Sequence, residues 1–360
     1  MLYKKNHKEV ITRLSELYSN ANCGKIYAAM KINNPVIEEF SRSSASGETA
    51  YPDPRLRIAF WDSVCAQFAD LEDDSIPCAY LTEFDEGLYG GMVGGEVRFV
   101  CFPQTGWISS MTVPFLKDLN DAKDLAVDRH NDWYRLYLEQ LKIFKHNSAG
   151  KFAISHMILI DGMNFLYELR GATNSYYDLL DEPLLTKSVF EFSIELNCFV
   201  QDAFFNIIGL YDGGTCSTLG QWLPGRIVSE SVDPFGVTSK EMFEDHGIWV
   251  MEKVFAHYDG GLVHVHSNAM HLLESLASVE KIKCLYLTDD DTSNYTLYKS
   301  LYELDLKRKN VPIVITVPYE AFADMLRKRE LPAKVLYNIV GVPNVSEANK
   351  MMKAVKSYSV

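Results

Sequence analysis

Two histidines one residue apart, His264 and His266 in Leu262-Val263-His264-Val265-His266-Ser267-Asn268, are the sharpest chemical feature of this 360-residue chain. In an extended strand successive side chains alternate, so both imidazoles face one side while Val263 and Val265 face the other. Imidazoles roughly 6–7 Å apart along a strand can share one zinc ion if a third ligand comes from elsewhere. Two neutral histidines satisfied by backbone and solvent are the alternative. Asp233, in Ser231-Val232-Asp233-Pro234-Phe235, can orient a substrate or join a metal shell, or simply shape a turn before proline. Asp161 precedes Gly162 and suits a helix N-cap. Asp289 opens a run of three acids, one of which is expected to face the site.

These groups need a scaffold that converges them. From residue 76 onward, short apolar runs alternate with helical stretches, the pattern of a parallel sheet. Strands are expected at 76–84, 96–102 or 107–113, 152–160, 204–211, 226–232, 262–266, 283–288, 311–317 and 334–340. About eight such units predict a (β/α)8 TIM barrel over residues 76–360, preceded by a helical, polar extension over 1–75. An open doubly wound sheet is the rival, but its Gly-x-Gly-x-x-Gly turn is absent. Barrel active sites lie at the C-terminal strand ends. That places Asp233, His264, His266 and Asp289 as catalytic candidates. Tyr80, Glu83, Asp161, Trp222 and Asn338 are candidates for substrate contact. Thr238 and Glu241 fit a capping box opening the helix after Asp233.

Composition narrows the partners. A net charge of -13 repels phosphate backbones, so nucleic acid is not expected. No apolar run reaches the ~18 residues needed to cross a bilayer. The basic N-terminal segment lacks the apolar core of a signal peptide. The cysteines number seven, an odd count, with no Cys-x-x-Cys pair, which argues against a disulfide framework and for a reducing cytoplasm. A small-molecule substrate is expected, and a homodimer stays open.

Residues 231–245 (SVDPFGVTSKEMFED) followed by 263–273 (VHVHSNAMHLL) resemble the uroporphyrinogen decarboxylase superfamily, nearer its corrinoid methyltransferase branch. In that branch an Asp-Pro segment precedes a strand carrying His-x-Cys-Gly-Asn. Residues 166–171, 179–189 and 337–352 agree in order. The resemblance implies methyl transfer between a corrinoid, on a separate protein, and a small methylated or thiol substrate, with zinc as cofactor. His264 matches the family's histidine ligand, whereas His266 replaces a cysteine, and no cysteine stands near Gly341-Val342-Pro343. An aspartate or glutamate from another strand would then complete the ligand set. True uroporphyrinogen decarboxylases need no cofactor but carry an arginine-rich N-terminal segment, which this chain lacks. Metal-free decarboxylation and a non-catalytic ligand- or corrinoid-binding barrel remain the alternatives.

Overall fold

The computed structural model describes residues 1–19, 24–217, 220–291 and 293–360; Cys23 lies outside them. The strands are β1 (Tyr27–Ile32), β2 (Gly47–Thr49), β3 (Cys78–Tyr80), β4 (Glu96–Phe102), β5 (Trp107–Val113), β6 (Ala153–Ser155), β7 (Leu159–Ile160), β8 (Gly214–Cys216), β9 (Trp222–Pro224), β10 (Ile227–Ser231), β11 (Gly260–His266), β12 (Ile282–Thr288), β13 (Ile313–Pro318) and β14 (Val335–Val342). Seven of them form one sheet in the order β1-β14-β13-β12-β11-β10-β7, and every pairing within it is parallel. A second sheet runs β3-β6-β8-β9, and the third, β2-β4-β5, is antiparallel. The fold is therefore mixed α/β. No strand pairing joins β1 to β3 among the described residues, so the ladder itself does not close into the expected barrel.

Strand alternation sorts the side chains into two cores. Ile227, Leu262, Cys284, Val314 and Leu336 form one cluster with Val10, Leu14 and Leu17 of the helix His7–Leu17. Their sequence neighbours Val228, Val263, Leu285, Ile313 and Val335 pack on the opposite face, with the outer helices. Each fully buried aliphatic side chain contributes about 1.5–3 kcal/mol. The N-terminal helix thus seals one end of the sheet with an apolar plug.

Four expectations need correction. Residues 204–211 are not a strand, because the helix Pro183–Ile207 runs through Phe204. Buried Val189, Phe190, Leu196, Val200, Ala203 and Phe204 recur at helical spacing, and Gly209 at φ 79° ends the run. Residues 96–102 and 107–113 are both strands, but they pair with each other as a hairpin outside the main sheet. The segment 1–75 is not wholly helical, since Tyr27–Ile32 pairs with β14 at the sheet edge. Its Tyr-Ala-Ala-Met start carries little β-branching, and only the long-range partner makes it a strand. The capping position also moves by one residue. Ser239, not Thr238, accepts from Met242 N at the start of the helix Lys240–His246.

Candidate metal centre

The apolar plug gives way to polar residues by simple pleating. Two positions beyond Ile227, Leu262, Cys284, Val314 and Leu336 stand Ser229, His264, Tyr286, Thr316 and Asn338. Two further along come Ser231, His266 and Thr288. The parallel register aligns Ser231 with His264, His264 with Tyr286, His266 with Thr288, and Thr316 with Asn338. His264, His266, Tyr286 and Thr288 are only half-buried, while the intervening Val263, Val265, Leu285 and Leu287 are fully buried. The polar face is therefore partly exposed at the C-terminal strand ends.

Asp233 completes a constellation with the two histidines: one ligand atom from each of Asp233, His264 and His266 lies within 4.8 Å of the others. Asp233 begins the short helix Asp233–Val237, which turns off the end of β10. His266 Nε2 stands 3.6 Å from Asp233 Oδ1, a carboxylate oxygen that is buried without a hydrogen-bond partner. His266 Nδ1–H donates to Asp290 Oδ1 at 2.6 Å, and the Ser267 hydroxyl donates to Asp290 Oδ2. That bond turns the ring so that Nε2 is the nitrogen facing Asp233. The Ser267 and His266 bonds hold the Asp290 carboxyl below its ordinary range. His264 Nε2 meets the Thr288 hydroxyl at 2.9 Å, and the two imidazole rings are 4.6 Å apart at 63°. Burial pulls the His264 pKa down to about 4, so near neutral pH the ring is uncharged, the form that ligates metals. Two nitrogens and one carboxylate oxygen, each backed by an outer hydrogen bond or left without a partner, match the donor set of an open zinc site.

Several buried carboxyls interact with Asp233 or with one another. Asp85, which precedes the helix Glu86–Met92, is pushed up to about 6 by burial, although Ser109 Oγ donates to it at 2.7 Å. Glu86 is raised by burial and by Asp85, Glu168, Asp233 and Asp161. Asp161 is pushed up to about 7 by burial, with Asp233 adding to it. Burial also raises Glu168, which accepts from Thr112 N at 2.5 Å. Glu230 lies behind them, fully buried with no partner for either oxygen, and burial with Asp161 keeps it protonated well above the usual range.

The sequence candidates separate accordingly. Asp233, His264 and His266 come together. Asn338 lies in the same polar layer and donates from Nδ2 to Tyr286 Oη at 2.6 Å, while its Oδ1 is buried without a partner. Tyr80 packs beside Trp61 and Trp107. Asp161 is an N-cap, accepting from Asn164 N at 2.6 Å, and its Oδ2 is buried without a partner. Glu83 is fully buried, with its oxygens taken by Arg57 Nε and Gln140 Nε2. Trp222 belongs to the apolar plug and donates from Nε1 to Tyr211 O. Asp289 Oδ1 holds the following loop, accepting from Thr296 N and Oγ1 and from Leu297 N. The member of the acid run that reaches His266 is Asp290. Its signal was available in the strand period: positions 284, 286, 288 and 290 share a face, and 289 does not.

No protein-family model matches the chain, and no curated protein matches it in sequence. Among solved structures, a methyltransferase from Methanosarcina mazei superposes with a TM-score of 0.61 at 13% sequence identity, over 97% of this chain and 98% of that one. At that identity the likeness is one of fold, and it spans essentially the full length of both chains.

Proposed function

We propose that Asp233, His264 and His266 hold one divalent metal ion, with zinc the best match, and that the chain is a methyltransferase acting on a small methylated or thiol substrate. The observation that carries this reading is the convergence of three ligand atoms within 4.8 Å at the end of a parallel sheet. The structural likeness to a methyltransferase supports the reaction class. A corrinoid carried by a partner protein is the methyl source consistent with the resemblance of residues 231–245 and 263–273. A zinc ion in such a site supplies Lewis acidity, lowering the pKa of a bound thiol or water. The chain's own contribution is orientation. Asp290 fixes the His266 ring, Thr288 contacts His264, and Asn338 with Tyr286 offers polar contacts to a substrate above the plug. A polycarboxylate such as uroporphyrinogen suits the site poorly, because the acidic groups near Asp233, such as Asp85, Glu86 and Asp161, offer no positive charge to hold its carboxylates.

The same proposal includes barrel closure. β6 and β7 lie on one stretch of chain, which links the β3-β6 pair to the main sheet. β1 instead hydrogen-bonds to Asp73 and Asp74, in the stretch of chain that leads into β3. Asp74 N donates to Ala28 O at 2.8 Å, Ala28 N to Asp74 Oδ2 at 3.0 Å, and Met30 N to Asp73 Oδ2 at 2.7 Å. Side chains here stand in for a ladder, so β1 would be the first of eight barrel strands. The test is metal analysis of the wild type, His266→Ala and Asp233→Asn, combined with methyl transfer from methylcobalamin to a thiol. About one zinc per chain in the wild type, lost in both variants, is expected. A metal-free wild type whose methyl transfer is unchanged by His264→Ala would overturn the reading.

A further inference from the structure

Between β1 and β3, where the parallel ladder breaks, lies a cavity of about 280 Å3. Met30, Lys31 and Ile32 of β1 line it, with Cys78 and Tyr80 of β3 and Trp61 of the helix Pro54–Ala66. That volume is just below the ~300–1,000 Å3 of drug-sized sites, so its occupant is small. Asp233, His264, His266 and Asp290 do not line it, and neither does any other described aspartate or glutamate. In a chain of net charge -13, a cavity walled without a carboxylate departs from the overall composition.

The aromatic part of the wall is continuous. Ring centroids of Trp61 and Tyr80 are 5.1 Å apart, those of Tyr80 and Trp107 are 5.8 Å apart, and all three rings line the cavity. Edge and offset contacts with a further ring favour an aromatic occupant. Most polar side chains of the lining are already bonded. Tyr3 Oη donates to Asp62 Oδ1 at 2.6 Å and Asn34 Nδ2 to Val64 O at 3.0 Å. Ser75 Oγ donates to Asp73 Oδ1 at 2.7 Å and Thr105 Oγ1 to Phe102 O at 3.0 Å, while Lys4 is paired with Asp73 at 2.5 Å. Two donors stay uncommitted. Trp61 is 2% exposed, and its Nε1–H is buried without an acceptor. Lys31 is exposed, and among the described residues no carboxylate lies within 4.0 Å of its ammonium. A buried N–H without an acceptor is costly, and a bound oxygen removes that cost.

We infer that this cavity is a second ligand site, separate from the metal centre, and that it takes a small aromatic carboxylate. The ring of the ligand packs against Trp61, Tyr80 and Trp107. Lys31 supplies the counter-charge, and an oxygen of the ligand accepts from the Trp61 indole. Both uncommitted groups donate, so the occupant must accept, and with no carboxylate in the lining a cationic ligand finds no partner there. A ligand so placed touches both β1 and β3, and thereby bridges the break in the ladder.

The test is calorimetric titration of the full-length protein, chelator-treated and zinc-loaded, with 3-phenylpropanoate, its neutral amide 3-phenylpropanamide and the cation 3-phenylpropylammonium. The acid should bind at least about tenfold more tightly than the amide, a factor equal to ~1.4 kcal/mol, and the ammonium should bind most weakly. Lys31→Met, at an exposed position, should bring the acid down to the affinity of the amide and leave the amide unchanged. Trp61→Phe should weaken acid and amide together, since each presents a carbonyl oxygen, and Trp107→Leu serves as the second wall variant should Trp61→Phe fail to fold. No binding of the acid, equal affinity for acid and amide, or unchanged acid affinity in Lys31→Met would overturn the proposal. So would an acid that binds the zinc-loaded protein but not the chelator-treated one, because it would then sit on the metal.

Discussion

Replacing Asp161 with asparagine tests how the carboxyl group at the strand ends is poised. The carboxyl is 1% exposed, and burial with Asp233 nearby pushes it from 3.8 up to about 7. In Asp161→Asn the side-chain oxygen can still accept from Asn164 N, so the cap and the volume are kept while the titration is removed. A carboxyl whose folded pKa is raised binds its proton more tightly in the folded state. Its favourable contribution is full below the unfolded value and is lost as pH rises through the folded value. The folded chain thus holds about one extra proton between pH 3.8 and about 7, and wild-type stability falls by ~1.4 kcal/mol per pH unit across that window. Integrated from about pH 5 to about pH 8, the loss is about 2–3 kcal/mol. The variant lacks this loss, so its stability relative to wild type should rise by that amount over the same range. Urea unfolding in chelator, followed by both circular dichroism and tryptophan fluorescence, measures the difference, and coincident transitions license the comparison. Neighbouring carboxyls titrate in both proteins and largely cancel. A difference that stays flat within about 0.5 kcal/mol would show that Asp161 is not held protonated, and the picture of crowded carboxyls would fall with it.

Other perturbations reach different parts of the structure. Asp290→Asn removes the acceptor that orients His266 and should weaken zinc binding about 10–100-fold, read by competition with a chromophoric chelator; unchanged affinity would mean that His266 is positioned without it. Arg57→Met leaves the buried Glu83 without its cation and should cost about 3–5 kcal/mol in urea unfolding, and a loss under about 1 kcal/mol would contradict the pairing. Gly90→Ala would set a Cβ 2.1 Å from Thr112 Oγ1. Overpacking of that kind costs about 1–3 kcal/mol, and in Thr112→Ser/Gly90→Ala the loss should shrink, because one of the crowding atoms, Thr112 Cγ2, is gone.

Much of the site was legible where chemistry depends on neighbours in sequence. His264-Val265-His266 puts two imidazoles on one side of a strand whatever surrounds it, since alternation is a property of the extended backbone. Asp161 before Gly162 caps a helix for equally local reasons. Period alone also singles out position 290 over 289, although three consecutive acids obscure the choice.

Tertiary structure decided what sequence distance hides. Asp233 lies 31 positions before His264, and only the parallel pairing of β10 with β11 brings its oxygen near the imidazoles. Residues 204–211 read as a strand by composition, yet they end a long helix because its buried face continues through Phe204. Tyr27–Ile32 carries no strong strand signal and becomes one by pairing with β14. Glu83 sits beside a strand end but turns into the protein, because Arg57 and Gln140 are there to satisfy it. Local rules set which way a side chain points; which partners meet it depends on long-range packing, and at this site those partners are carboxyls drawn from three separate segments of the chain.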